Sequence, residues 1–358
     1  MKMFDEVCKD VTKTARKIPQ SDYQESGEYK IFDQGKDYIG GFTNDSTGIV
    51  NDYPYIVFGD HTRIIKYVDE PCFIGADGVK LLKVFNQEFY PKYVYYSFIA
   101  NPVASIGYSR HFKYLKEKYI KKCDLDLQHT IVNNLDNINN AISLAKERLL
   151  SLDELVKSRF IEMFGKYFED KSRLVKVSTL ASATIGLTYK PENVSENGTI
   201  VLRSGNIQNA ELYLEKDIVR VSNVKIKEDK YVRENDILMC SRNGSAKLVG
   251  KCCRIPKLDE PMTYGAFMTV IRSIYPYFLN GFFNSTYFTQ QLTGTQTASV
   301  NQITTGMLNN YDVICPTKDE ENEFAKFVKL IDKSKFIVQQ QIKDLEELLD
   351  SKMDEYFR

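Results

Sequence analysis

Six short polar clusters, each following an apolar run, hold the side chains best suited to chemistry. In the first half of the chain they are "DQGK" with Gln34 and Lys36, "GDHTR" with His61, Thr62 and Arg63, and "GYSRHFK" with Ser109, Arg110 and His111. In the second half they are "RSGN" with Arg203, Ser204 and Asn206, "SRNGSAK" with Arg242, Asn243, Ser245 and Lys247, and "GTQTASVNQITTG" with Gln296, Thr297, Ser299 and Asn301. Arg, Asn, Gln and Lys match the donor and acceptor patterns of base edges, while Ser, Thr and loop amides suit phosphate oxygens. The chemistry on offer is recognition of double-stranded DNA. A single cluster of Gly, Ser, Asn and Arg is also what any surface turn contains, so the expectation rests on the set.

Reaction chemistry finds less support. "SRNGSAK" comes nearest to a phosphate loop of the G-x-x-x-x-G-K-[ST] type but lacks its spacing, and no Gly-rich turn is followed by an acid about 20 residues on. "NPV" at 101–103 falls short of the N-P-P-Y/F signature of amino-methyltransferases, lacking its second proline and aromatic. With only His61, His111 and His129, a His-rich metal site is excluded, and a Ser/His/Asp triad has few candidates. His129 is expected to cap a helix or face solvent. The seven cysteines are scattered without C-x-x-C spacing, as expected of reduced thiols in a cytoplasmic protein. "MKMFDEVCKDVTK" has no signal-peptide core, and no run of about 18 apolar residues occurs, so neither secretion nor a membrane is expected. A chain of 358 residues, 43% hydrophobic and 27% charged, suits two or three soluble domains. A binding protein without catalytic or metal-binding residues and with no cofactor of its own is expected.

The elements that would position these clusters are written twice. "LDELVKSRFIEMF" (152–164) returns as "LEELLDSKMDEYF" (345–357), an offset of 193 residues. At that offset Leu135, Ile138, Leu149, Leu152 and Val156 face Val328, Ile331, Ile342, Leu345 and Leu349, and Ala145 faces Val338. With Ile142 the first series recurs every three or four residues over about four heptads, the pattern of a long helix burying a narrow seam on a partner helix. Lys335 occupies the place of Ile142 in the second copy, a single polar interruption. Each helix is expected to run about 35 residues, and pairing of the two buries both stripes; an amphipathic helix lying on its own domain is the plainer alternative.

Three further pairs precede the helices in the same order: "EYKIFDQGK" with "GTIVLRSGN" at offset 170, "YIVFGDHTRIIKYVDEPCFI" with "DILMCSRNGSAKLVGKCCRI" at 181, and "YPKYVYYSF" with "YPYFLNGFF" at 185. The second pair aligns Lys66 with Lys247 and Cys72 with Cys253. The net charge of zero hides the same period, at +2, −3, +4 and −3 over residues 1–122, 123–169, 170–316 and 317–358. The expected fold is α+β: two pseudo-symmetric mixed domains, 1–122 and 170–316, joined by long antiparallel coiled-coil-like helices in 123–169 and 317–358. Corresponding loops keep polar reach but change their letters, as two different readers on one scaffold would.

The whole chain resembles the specificity subunit of Type I restriction-modification systems, which has two target recognition domains and two helical spacers. The likeness is carried by "GLTYKPENVSENGTIVLRSGNI" (186–207), "DILMCSRNGSAKLVGK" (236–251), "TGTQTASVNQITTGMLNNYDVICPTKDEENEFAKFV" (293–328) and the twin helix ends. It departs from the family's pattern where Tyr189 and Lys190 precede Pro191, and where "KKCDLDLQH" lacks the proline of "CPTKDEENE". The resemblance implies a non-catalytic subunit for phage defence that reads a bipartite target, with helices that act as a ruler and dock two DNA methyltransferase subunits. Restriction subunits are a further partner; S-adenosylmethionine and ATP with Mg are implied on partner chains. A scaffold protein that assembles others through its helices, and a stand-alone DNA reader of another methylation or defence system, remain the alternatives.

Overall fold

Three side chains decide where the long helices begin. Asp124 accepts the backbone N–H of Leu127 at 2.8 Å and starts the helix Leu125–Glu169, supplying the cap where the sequence lacks a proline. Thr317 and Glu320 form a reciprocal capping box at the start of Lys318–Phe357, at 3.2 and 2.7 Å. The Arg173 guanidinium on Glu320 holds that carboxyl well below its usual range, at about 2. At 45 and 40 residues the helices exceed the expected 35 because these caps lie upstream of the first seam residues.

The computed structural model describes residues 1–107, 109–295 and 302–358, which form two compact units. The first comprises Met1–Lys146 and Gln340–Arg358, the second Glu147–Gln339, so each unit holds one mixed domain and part of both helices. Within the first unit the helix segments run antiparallel, with Lys146 paired to Glu346 at 2.9 Å and the Asn134 amide donating to the Tyr356 hydroxyl at 3.1 Å. Within the second they are again antiparallel, through ion pairs of Arg159 with Glu323 and Asp153 with Lys335. All twelve predicted seam residues, Leu135, Ile138, Ile142, Leu149, Leu152, Val156, Val328, Ile331, Val338, Ile342, Leu345 and Leu349, are buried or half-buried. Lys335, the polar interruption, is itself buried and bonds Glu211 at 2.8 Å as well as Asp153. Burial disfavours its charge, but the two carboxylates outweigh that and raise its pKa.

Each unit repeats one topology. The first has a sheet in the order Cys8–Asp10, Val79–Val84, Tyr55–Gly59, Ile65–Val68; the second has Ala181–Ile185, Met268–Ser273, Ile237–Cys240, Cys252–Arg254, both antiparallel throughout. A second sheet centres on Tyr29–Phe32 or Thr199–Leu202, each with one parallel and one antiparallel neighbour. "YIVFG" and "ILMC" are buried at every position, which is why they read as continuous apolar runs and do not alternate. A short helix follows, Pro91–Ala100 or Pro276–Phe283, each with proline in its first turn. N–H groups at its start that lack an intrahelical partner are met from the long helix: Gln128 accepts from Tyr90, and Glu321 accepts from Tyr277 and Phe278. Gln128 and Glu321 stand 193 residues apart, buried twins that the apolar pattern had passed over.

One expected alignment is corrected. Val57 pairs with Lys66 and Leu238 pairs with Cys253, so Cys253 is the counterpart of Lys66, not of Cys72. The connection 241–251 has 11 residues where 60–64 has five, and this insertion shifts the register after the first strand. The strand alignment at offset 170 and the helix alignment at 185 hold residue for residue at the element starts.

Candidate nucleic-acid interface

In the first unit, three stretches far apart in sequence are tied together at strand ends. Gln34 accepts the backbone N–H of His61 at 3.3 Å, and the Thr62 hydroxyl donates to the Gln34 carbonyl at 2.7 Å. Arg63, with φ +65°, donates to the Val103 carbonyl at 3.3 Å. The Asp60 carbonyl accepts the His111 N–H at 2.8 Å, while the Asp60 carboxylate accepts from Phe112 at 2.7 Å. The loops at 34 and 60–63 therefore make one rim with Val103, His111 and Phe112. Lys36 and Arg110 are exposed on these loops; Ser109 is half-buried. Gln34, Thr62 and Arg63 use their polar groups to hold the rim together.

In the second unit the strand Thr199–Leu202 leads into Arg203 and Ser204, and Ile237–Cys240 leads into Arg242 and Asn243. The Asn243 amide donates to the Ser204 hydroxyl at 3.2 Å, and its carbonyl accepts the Ser245 N–H at 3.0 Å. Arg242 bridges to Gln302 through the backbone. Ser245 and Lys247 are exposed. Gln296, Thr297, Ser299 and Asn301 lie outside the described residues.

Two expected contacts are corrected. His111 is 1% exposed and its Nδ1 lies 3.0 Å from the Asp60 carbonyl, so it closes the rim from beneath and does not reach a ligand. Asn206 is also 1% exposed; its side chain accepts from the Arg203 N–H at 2.9 Å and donates to the Tyr213 carbonyl at 3.2 Å. Both are polar residues in turns, which is how the sequence pattern confused them with readers. Alanine at Asn206 is expected to cost about 1–3 kcal/mol of stability by stranding both partners, measured by urea unfolding. A variant as stable as its parent, with altered recognition, would return Asn206 to the reading set. His129 lies exposed in the first long helix with its ring 4.2 Å from that of Tyr90; the cap is Asp124.

The site offers hydrogen-bond donors more than reactive groups. Burial pushes the thiols of Cys8, Cys72 and Cys253 up to about 12, so none of them is a thiolate near neutral pH. Most arginines off the predicted loops are ion-paired, although the side chains of Arg148 and Arg233 have no carboxylate partner among the described residues. Among the described residues Arg16, Arg159, Arg173, Arg220, Arg254, Arg272 and Arg358 are ion-paired. Arg63, Arg110, Arg203 and Arg242, the four on the predicted loops, have no carboxylate partner among those residues; the Arg203 guanidinium donates to the Asp217 carbonyl at 2.9 Å, and that of Arg63 to the Val103 carbonyl. A guanidinium left without a carboxylate keeps its planar fork of donors for a phosphate or a guanine.

Sequence reasoning missed Phe267. It occupies the connection between Met262–Tyr264 and Met268–Ser273 and is 60% exposed between the buried Tyr264 and Met268. Its ring lies under the Arg242 guanidinium, 5.5 Å from the centroid. An aromatic beside a strand reads as core, and no local signal marks it otherwise.

No family model matches the chain. The StySPI specificity subunit of a Type I restriction enzyme from Salmonella potsdam is 25% identical over 158 residues, which is 42% of this chain and 34% of that protein. The EcoKI specificity subunit from Escherichia coli strain K12 is 26% identical over 161 residues, 43% of this chain and 34% of that protein. The match thus spans about a third of the length of these curated relatives. Among solved structures, the S subunit of a Type I restriction-modification system from M. genitalium superposes with a TM-score of 0.57 at 16% identity, covering 98% of this chain and 94% of that one. A chain from a study of complex assembly and conformational transition in the Type I system gives 0.53 at 13% identity, covering 100% and 97%. The resemblance read from the motifs recurs in the curated sequences, and the α+β fold recurs in the solved ones.

Proposed function

We propose that this chain is the sequence-reading specificity subunit of a Type I restriction-modification complex, each unit reading one half of a bipartite double-stranded DNA target. The observation that carries the reading is the set of loop arginines without carboxylate partners, on rims built twice from the same topology with different letters. Lys36, Arg110, Arg203, Arg242 and Lys247 face the DNA in this reading, with phosphates met by lysine, hydroxyl and backbone N–H groups and bases by arginine forks. The two half-sites differ because the two loop sets differ.

The chain acts without catalytic groups of its own. Methyl transfer from S-adenosylmethionine belongs to two methyltransferase subunits, and ATP with Mg to restriction subunits where these join. Apolar side chains left exposed on the long helices support docking there: Leu150, Leu155 and Ile161 on the first, and Leu330, Phe336 and Ile337 on the second, are each 49–67% exposed. Among the described residues no helix is long and apolar enough to cross a membrane.

The chain is expected to co-purify with an adenine methyltransferase, and the complex to methylate one discontinuous motif. Genome-wide mapping of methylated bases in a host with and without the gene checks this. If no motif disappears on deletion and no methyltransferase binds, the proposal falls.

A further inference from the structure

Phe267 is exposed but not loosely held. Its carbonyl oxygen accepts three hydrogen bonds, from the Ser241 N–H at 3.0 Å, the Ser241 hydroxyl at 3.0 Å and the Arg242 N–H at 3.1 Å. The Gly265 N–H donates to the Leu202 carbonyl at 2.9 Å, and the Met268 N–H closes the turn onto the Gly265 carbonyl at 2.8 Å. The turn is thus stitched at one end to the residue before Arg203 and at the other to Arg242 itself. Single exposed apolar side chains are common on protein surfaces and by themselves imply nothing. Here an aromatic ring lies under Arg242, which lacks a carboxylate partner among the described residues, on a turn whose other end is bonded to the residue before Arg203.

We propose that Phe267 is a specificity-determining residue of the second unit, its ring packing on the C5-methyl of a thymine in the major groove while Arg242 donates to O6 and N7 of a neighbouring guanine. The chemistry follows from the groove: thymine is the base that presents a methyl group there, and the guanidinium fork matches guanine. Arg242 is restrained by its contact with the ring, which limits the entropy it loses on binding. The equivalent turn of the first unit carries no such device. Its equivalent turn, Ala76–Gly78, has no aromatic, and Gly78 sits at φ +61° with any added Cβ 2.7 Å from both Gln34 and His61. Thymine-methyl reading by this ring therefore belongs to the second half-site alone.

This inference rests on the specificity-subunit reading, and its test separates the two. The complex with its methyltransferase is titrated with duplexes bearing its mapped motif, in which each thymine in turn is replaced by deoxyuridine, removing only the methyl. One such replacement in the second half-site is expected to weaken wild-type binding about fourfold, the effect of one methyl group losing its burial. Phe267→Ala is expected to bind the thymine and deoxyuridine duplexes alike, with thermal unfolding and first half-site recognition unchanged. If no deoxyuridine in the second half-site weakens the wild type, if that half-site has no A·T pair, or if Phe267→Ala keeps the discrimination, the inference is overturned while the specificity-subunit reading stands. Wild-type complex that fails to prefer the motif duplex overturns both.

Discussion

Arg203→Ala relaxes recognition at one position in one half of the target and leaves the other half read as before, while Arg110→Ala does the same in the opposite half. Each arginine is exposed on a loop of a different unit, and neither has a carboxylate partner among the described residues. A lost bidentate contact to a base costs about 1–3 kcal/mol, or about 5- to 150-fold in affinity at that position. The two residues share no hydrogen-bond partner among the described residues, so the double variant is expected to lose the sum of the single losses. Mapping methylated motifs for both single variants and the double variant checks this. Equal weakening across all sequences, with a shallower salt dependence, would mark these arginines as phosphate contacts.

Phe164→Ala destabilises the second unit by about 3–5 kcal/mol, the range for emptying a buried aromatic site. The ring is fully buried where three elements meet: Phe160 on its own helix at 5.2 Å, Phe278 on Pro276–Phe283 at 4.8 Å, and Phe324 on Lys318–Phe357 at 5.8 Å. Those three contacts join the mixed domain to both long helices of the unit, so the truncation opens a cavity none of them can fill alone. Leu155→Ala, on the same helix but 50% exposed, is expected to change stability by less than about 0.5 kcal/mol. Urea unfolding of both variants tests the contrast. A loss below about 1 kcal/mol for Phe164→Ala would show that this ring cluster is not what joins the unit.

The paired helices were legible because a seam residue recurs at a spacing set by helix geometry, and an offset of 193 residues preserves that spacing. The strands "YIVFG" and "ILMC" were legible because complete burial demands an unbroken apolar run. Turns obey a weaker rule. Gly, Ser, Asn and Arg suit a turn whether their side chains point outward or brace the loop from within, so the letters of "RSGN" do not distinguish exposed Arg203 from buried Asn206. The misplaced match of Cys72 with Cys253 has the same origin, since an insertion inside a turn leaves no periodicity to betray it.

By itself the sequence determined the duplication, the two long helices with their seam, and the polar loops that alternate with buried strands, because each is a pattern of neighbours along the chain. Which loop residues face outward was decided only in three dimensions. Gln34 meets His61, Asn243 meets Ser204, and Phe267 is pinned by Ser241 and Arg242. Such contacts depend on which strand ends the sheets bring together and on which polar groups thereby find partners. A buried polar group must be satisfied by whatever residue the fold sets beside it, and that neighbour is not written at any fixed spacing.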